Sequence, residues 1–501
     1  MRRLVPLVLL LPVLFTIRPV TVAAATRPNV VIIMTDDQRW DTVTSQYMPQ
    51  LSLILANNPS VTYPNAFVPN TLCCPSRTST LTGDYSHTTG VFGNVGRWGG
   101  FLSFTPSPNG NSISTVNDRT TMAVDMHAAG YRTALIGKYL NGYNTTTSTY
   151  VPPGWNRWFS VGTGAYYNYR ATSRVPGSPI RHLSFGSAPN DYATSVLASK
   201  AIGWVQNGNP APFFLYYATT APHGPNIPDP RDVGRFSTAG YVHPPSFGKV
   251  EDGAPNYIAQ VPWSASSAAF NDHSHAQQLD TTFGVDRSIG QLWSALPDNT
   301  IVLFMSDNGL SWGEHRWSGK MVPYNEAIRI PLAIAGKNLV NPLPTNGTDP
   351  RIVLNVDVLP TLEGYAGVTA GHAVEGLDMF TSARSDFVLE HWFASLVPPT
   401  YCGVRSLDWM YVRYNRYEEP VKEGLYYEVA DPFEMNNLAV TDPSNPEMQV
   451  MRDRAATLCQ TDGNAIYPND WPYSCSARIP AESMKVTPER SPLVVSVGGG
   501  I

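Results

Sequence analysis

Short runs of β-branched and aromatic residues recur along the chain, and each breaks off into polar or glycine-containing residues. Val30-Val31-Ile32-Ile33-Met34 is apolar at every position, the pattern of a strand covered on both faces in a parallel sheet. The stretches Tyr131–Ile136, Phe213–Ala218 and Thr300–Met305 read as further strands of this kind. Between them, Tyr192–Val205 has helical spacing, as does Gln278–Leu292 with Leu279, Phe283, Val285, Ile289 and Leu292 on one side. Asp280 and Asp286 of that helix are expected to meet solvent. Alternating strand and helix predicts an α/β fold, a large mixed, mostly parallel sheet with helices on both faces. A last helix of this domain starts near Asn355–Leu362, capped by Asn355 or Asp357. After Gly376 the texture changes to strand-like pieces, Asp386–Glu390, Trp409–Tyr414 and Gly424–Glu428, with a helix over Glu447–Cys459. Residues 26–376 are therefore expected to form the large domain, and 377–501 a small C-terminal α+β unit around an antiparallel sheet.

The first 25 residues have a different grammar. Met1-Arg2-Arg3 is basic, the stretch to Ile17 is mostly apolar, and Ala23-Ala24-Ala25 offers small residues for cleavage. This reads as a secretory signal peptide, too short and broken for a membrane span, so an exported protein without stable membrane insertion is expected. The 501 residues are 43% hydrophobic and 15% charged, enough to bury a large core and a smaller one. A net charge of −5 argues against general nucleic-acid binding but not against a small anionic substrate, for which a few local cations suffice. Export also suits the five cysteines. Cys459 with Cys475 is the expected disulfide, with Cys402 free or competing, because spacing cannot decide the pairing.

Chemistry-bearing residues gather where the strands end, the edge at which open α/β sheets place their sites. Asp36-Asp37 follows the first strand and Asp307-Asn308 the strand at 300–305. Adjacent buried acids repel unless a cation neutralises them, and all-oxygen donors suit a hard cation. Lys138 stands after Gly137 at a strand rim, and His223 lies between Pro222 and Pro225 in a loop after Ala218. Lys320 ends Glu314-His315-Arg316-Trp317-Ser318-Gly319-Lys320. His315 is read as lining a pocket or capping a loop, and Glu326 with Arg329 as a structural pair. Gly154-Trp155-Asn156-Arg157-Trp158 is read as an aromatic loop that helps to set the pocket.

The most specific stretch is Leu72-Cys73-Cys74-Pro75-Ser76-Arg77-Thr78-Ser79-Thr80-Leu81-Thr82-Gly83. Proline in a first helical turn and the free N–H groups there place Cys73 at a helix N-terminus that favours negative charge, with Arg77 one turn on. The run from Cys73 to Gly83 resembles the signature of the formylglycine-dependent sulfatases, and its double cysteine resembles the branch of the N-acetylglucosamine-6-sulfatases and extracellular heparan endosulfatases. Asp431-Pro432-Phe433-Glu434-Met435-Asn436-Asn437-Leu438 resembles a turn near the end of such proteins. The resemblance implies an alkaline-phosphatase-like fold. It implies that a formylglycine-generating enzyme converts Cys73 to formylglycine. It also implies a Ca2+ ion, in preference to Mg2+, held by Asp36, Asp37, Asp307, Asn308 and residue 73. Arg77, Lys138 and Lys320 would hold the sulfuryl charge, Asp307 would help deprotonate the hydrated aldehyde, and His223 or Lys320 would protonate the departing alcohol. One departure is Leu140, where many arylsulfatases carry a histidine.

The expected activity is hydrolysis of sulfate esters, of 6-O-sulfated glucosamine in a glycan or of aryl sulfates. A phosphate-ester or phosphonate hydrolase on the same scaffold stays open, as does a non-catalytic binder of sulfated glycans; a hydrolase using Cys73 as a thiolate is disfavoured, because the motif has no nearby His and the acidic residues would go unused. Asn144-Thr145-Thr146 and Asn346-Gly347-Thr348 are glycosylation sequons.

Overall fold

The computed structural model describes residues 27–459 except 107–109, 111, 113, 209–211, 237–240, 393–397 and 415–420. The expected signal peptide and Cys475 lie outside the described residues. Among the described residues ten strands form one sheet. Its order is Gly347–Thr348, Ser60–Thr62, Leu332–Lys337, Thr300–Ser306, Asn29–Thr35, Phe213–Ala218, Arg132–Lys138, Arg157–Val161, Arg170–Arg174, Arg181–Ser184. The five from Thr300–Ser306 to Arg157–Val161 run parallel, and Leu332–Lys337 and Arg170–Arg174 flank them antiparallel.

The unbroken apolar runs have the expected cause. Val30, Ile32 and Met34 point into one core with Leu81, Met122, Met126, Leu359 and Leu362, from the helices Cys73–Thr82, Met122–Ala128 and Val358–Ala366. Val31 and Ile33 point into the other with Leu51, Leu197, Val285 and Ile289, from the helices Pro49–Asn57, Ala193–Gln206 and Ala265–Ala295. Each such aliphatic side chain stabilises the fold by about 1.5–3 kcal/mol. The central strands are thereby fixed in register, and so are the residues that leave their ends. Trp155 and Trp158 belong to the first of these cores, not to an exposed loop.

The helix at 278–292 is longer than its apolar spacing predicts, spanning Ala265–Ala295. Contrary to expectation, Asp280 and Asp286 are buried. Asp280 accepts hydrogen bonds from the Gly234 and Phe236 N–H groups, and Asp286 from those of Gln50 (2.9 Å) and Leu51 (2.8 Å). These last two donors belong to the first turn of Pro49–Asn57, so Asp286 caps a neighbouring helix from outside its own chain segment. Neither expected cap forms: Asp357 makes no side-chain cap to the helix Val358–Ala366 and accepts instead from the Leu354 N–H behind it, and the Asn355 amide reaches Ser76 on the cysteine helix.

A four-stranded antiparallel meander follows: Asp386–His391, Tyr401–Ser406, Trp409–Tyr414 and Glu423–Tyr427. Tyr401–Ser406 gives no strand signal in the sequence because Gly403 and Arg405 interrupt it. One face of the meander buries Phe387, Leu389, Met410, Val412 and Tyr426 with Phe67, Tyr257, Val322 and Tyr324 of the main body. The other is covered by Met448, Met451 and Ala455 of the helix Glu447–Cys459. Packing of that helix decides the disulfide, which joins Cys402 to Cys459 with 6.2 Å between Cα atoms, in place of the expected Cys459–Cys475 pair. Cys73 and Cys74 are free thiols. No helix among the described residues is long and apolar enough to cross a membrane.

A non-reducing peptide map is expected to join Cys402 to Cys459. Replacing both by serine should lower the unfolding free energy by about 2–4 kcal/mol, because the bond closes a long loop in the unfolded chain. Asp286 makes a second prediction. Burial pushes its carboxyl up to about 6, against the pull of the two N–H groups. Its cost is full above that pH and fades as the native state takes up a proton that the unfolded chain refuses until about 3.8. Urea unfolding at pH 7 and pH 4 should show the wild type gaining stability relative to Asp286→Asn as the pH falls.

Candidate active site

Four of the parallel strands deliver charged residues to one edge. Asn29–Thr35 runs into Asp36-Asp37, Thr300–Ser306 into Asp307-Asn308, and Phe213–Ala218 into the loop bearing His223, while Arg132–Lys138 ends on Lys138 itself. Thr35 pairs with Ser306, so the two acidic ends arrive side by side although 270 residues separate them. Gly137 stands opposite Ala218 at a φ of 131°, and a Cβ there would lie 1.7 Å from the Ala218 carbonyl oxygen. Only glycine lets those strands close up and bring Lys138 inward.

Leu72 is extended, the helix runs Cys73–Thr82 with every residue buried, and Gly83 ends it at a φ of 79°. Cys73 Sγ lies 3.6 Å from Asp36 Oδ1 and accepts from Lys320 Nζ at 2.8 Å. Arg77 donates through Nε to Asp307 (2.8 Å) and through Nη1 to the Lys138 carbonyl, with Nη2 3.7 Å from Asp36. Lys138 Nζ donates to Asp36 at 2.6 Å. Lys320 Nζ also donates to Asp37 and, at 3.4 Å, to Asn308 Oδ1, while the Asn308 amide donates to Asp37. Asp307 Oδ1 accepts from the Asp37 N–H. His223 Nε2 lies 3.6 Å from Asp37, and its Nδ1 donates to the Gly224 carbonyl. Proton exchange with a ligand therefore falls to Nε2.

Burial alone would raise both aspartates, but the cations outweigh it. Lys138, His223 and Arg77 hold Asp36 at about 2, and Lys320 and His223 hold Asp37 below the usual range. His223 is pushed up to about 9: burial opposes its charge, and Asp37 and Asp36 more than restore it. Lys138 and Lys320 are raised by the same carboxylates against burial. Arg77 and Lys138 are wholly enclosed, while the side chains of Lys320 (11% exposed) and His223 (25%) reach the mouth. Ligand atoms of Asp36, Asp37, Cys73 and His223 lie within 4.8 Å of one another. The donors suit a divalent cation: buried Asp36 and Asp37 with residue 73, beside buried Asp307 and Asn308, and the Lys320 ammonium is already drawn to Asp37 and Asn308. Arg77, Lys138, Lys320 and the protonated His223 outnumber Asp36, Asp37 and Asp307 by one, so the centre is net positive, matched to an anionic ester, and a divalent ion would add to that charge.

Residues 28–368 match the family model described as sulfatase, and residues 313–460 match the C-terminal model of N-sulphoglucosamine sulphohydrolase. The chain belongs to the sulfatase family. Human N-acetylglucosamine-6-sulfatase is 28% identical, with 88% of each chain covered. A Sulf-1 homolog of Caenorhabditis elegans is 30% identical over 71% of this chain, which spans half of that relative's length; it spans 32% of the extracellular sulfatase SULF-1 homolog of Drosophila melanogaster. A protein solved in complex with its substrate D-glucosamine-2-N,6-O-disulfate has the same fold, with a TM-score of 0.71 at 21% identity over 86% of this chain and 97% of that one. So does the phosphonate monoester hydrolase of Agrobacterium radiobacter, with a TM-score of 0.65 at 17% identity over 86% and 95%. The fold is thus the alkaline-phosphatase-like one that the motif implied.

In this sulfatase the nine residues singled out by motif and position, from Asp36 to Lys320, form one contact network. Leu140, the departure from the family pattern, is buried, and the Asn141 N–H donates to Cys74 Sγ, so both support the cysteine helix. The expectations for His315 and Arg329 fail. His315 neither lines this site nor caps a loop: it is fully buried, paired through Nδ1 with Glu251 and stacked on Tyr324. Arg329 turns from Glu326 to the Pro64 carbonyl and the Trp40 ring. Gln278 escaped notice because nothing in a long helix marks one glutamine. It donates to the Asp37 carbonyl at 2.9 Å and accepts from Trp312 Nε1 at 2.8 Å. Gln278→Leu strands both groups in a buried place, and denaturant unfolding should report a loss of about 1–3 kcal/mol.

Proposed function

We propose that the protein is a secreted sulfatase that removes sulfate from sulfated glycans, with 6-O-sulfated glucosamine as the foremost substrate class. The observation that carries this reading is Cys73, heading a buried helix in the sulfatase motif and held between Asp36 and the Lys320 ammonium, with Arg77 one turn behind. The relation to N-acetylglucosamine-6-sulfatase over 88% of both chains supports the substrate class. The part through about residue 376 carries the chemistry, and the meander closes its rim. A formylglycine-generating enzyme acts on the chain during maturation.

Asp36, Asp37, Asp307 and Asn308, with residue 73, would hold Ca2+, which supplies Lewis-acid polarisation of a sulfuryl oxygen. Formylglycine at position 73 supplies a hydrated aldehyde as nucleophile and an elimination route that a thiol lacks. Arg77 and Lys138 are locked by Asp307 and Asp36, so their charge is pre-oriented toward the sulfuryl group without reorganisation. Lys320 and His223, at the mouth, meet the ester from the solvent side. With Nδ1 held by Gly224, His223 presents Nε2 to the departing alcohol as a general acid.

Kinship of fold with a phosphonate monoester hydrolase keeps one other substrate class in play. Mass spectrometry of the Cys73 peptide should find the aldehyde or its hydrate. kcat/KM should favour a sulfate ester over the matched phosphate ester and phosphonate, and Cys73→Ala should lower kcat by about a thousandfold or more. A preference for phosphate or phosphonate would reverse the assignment.

A further inference from the structure

A second group of buried titratable residues lies outside the centre described above. One ring nitrogen of His315 and one carboxylate oxygen each of Glu326 and Glu434 lie within 4.8 Å of one another, all three residues buried. His315 Nδ1 donates at 3.0 Å to Glu251, which also accepts from Tyr324 and Tyr426. This leaves His315 Nε2 fully buried without a hydrogen-bond partner. Glu326 Oε2 is likewise buried and unpartnered, on a side chain 7% exposed. A carboxylate behind one imidazole nitrogen, in a ring whose other nitrogen is unpartnered and which has two further carboxylates within reach, is the arrangement by which proteins orient a metal-binding histidine.

The local charge count points the same way. Glu251, Glu314, Glu326, Glu428 and Glu434 are buried here, against the guanidiniums of Arg39 and Arg405 and the His315 ring. Arg39 is taken by Glu314 and Asp41, and Arg405 by Glu428. Among the described residues Glu326 and Glu434 are left without a cation of their own, and burial with neighbouring glutamates pushes both carboxyls up, Glu326 to about 7. Buried carboxylates in such excess need protons or a cation. A route in exists, because Glu326 and Asn325 line a cavity of about 370 Å³ on the surface between the main body and the meander.

We propose that His315, Glu326 and Glu434 form a second, structural cation site for a borderline divalent ion such as Zn2+, with Glu251 orienting the imidazole. An imidazole among carboxylates selects such an ion over Ca2+ or Mg2+. Donors around a tetrahedral zinc lie about 3.3 Å apart, so the three would draw in by no more than about 1.5 Å, and water from the cavity completes the set. Glu434 keeps lone pairs for this while accepting from the Asn325 N–H. The ion would pin the loop from Gly313 to Lys320, and so the lysine at the mouth of the catalytic centre. It would also bind that loop to the turn after the meander.

The test is a zinc titration of the full-length protein, stripped with chelator and re-equilibrated in excess calcium, read by metal analysis and by the melting temperature. The wild type should take up one zinc per chain and melt higher. Glu326→Gln should lose that zinc while keeping its calcium, and should melt no lower than the wild type in zinc-free buffer. Glu434→Gln serves as a second ligand variant, and Glu251→Gln should weaken zinc binding by about 10- to 100-fold. No zinc uptake by the wild type, or equal uptake by wild type and Glu326→Gln, overturns the proposal. The cluster would then be neutralised by protons, or the zinc held elsewhere.

Discussion

Opposed charges buried under the C-terminal edge of the parallel sheet are the constraint on which the rest of the molecule depends. Asp36, Asp37 and Asp307 leave two neighbouring strands at the same height, and Arg77, Lys138 and Lys320 reach them from a helix, a third strand and a loop. None of these charges is tolerable alone, since removing one partner of a buried pair costs about 3–5 kcal/mol. Strand register, the close approach at Gly137 and the burial of every residue in the cysteine helix all serve to keep the set complete.

Binding charge and apolar packing are separated cleanly. Alternate residues of the central strands fill two cores, and the charged residues of the site stand at or just past the strand ends. The scaffold can therefore be rigid at the strands while Lys320 and His223 reach the mouth.

The meander is more than an appendage. Its inner face completes a core with Phe67, Tyr257 and Tyr324, and its following turn brings Glu434 against Asn325 and the His315 loop. The acid-rich cluster there is the inverse of the centre at the strand ends: one has cations in excess of its carboxylates, the other has carboxylates in excess. Both lie at the ends of the Gly313–Lys320 loop, so the order of one bears on the other.

Local pattern was enough for the four buried central strands at 29–35, 132–138, 213–218 and 300–306, because a run such as Val30–Met34 has no stable place except a two-sided core, but not for Arg157–Val161, the flanking strands or Tyr401–Ser406. It was enough for the helix at Cys73 too, where proline and the closing glycine mark both ends. The candidate site was legible for a related reason, since catalytic groups in α/β sheets cluster at strand ends and the motif residues fall there. What the chain alone left undecided depends on which distant surfaces meet. Asp280 and Asp286 look like solvated positions until Gly234, Phe236 and the helix from Pro49 cover them. Cys402 finds Cys459 because a helix lies across a sheet, a relation that spacing in sequence does not encode. Gln278 and Glu251 matter through partners more than 30 residues away, and no periodicity of the chain points to them.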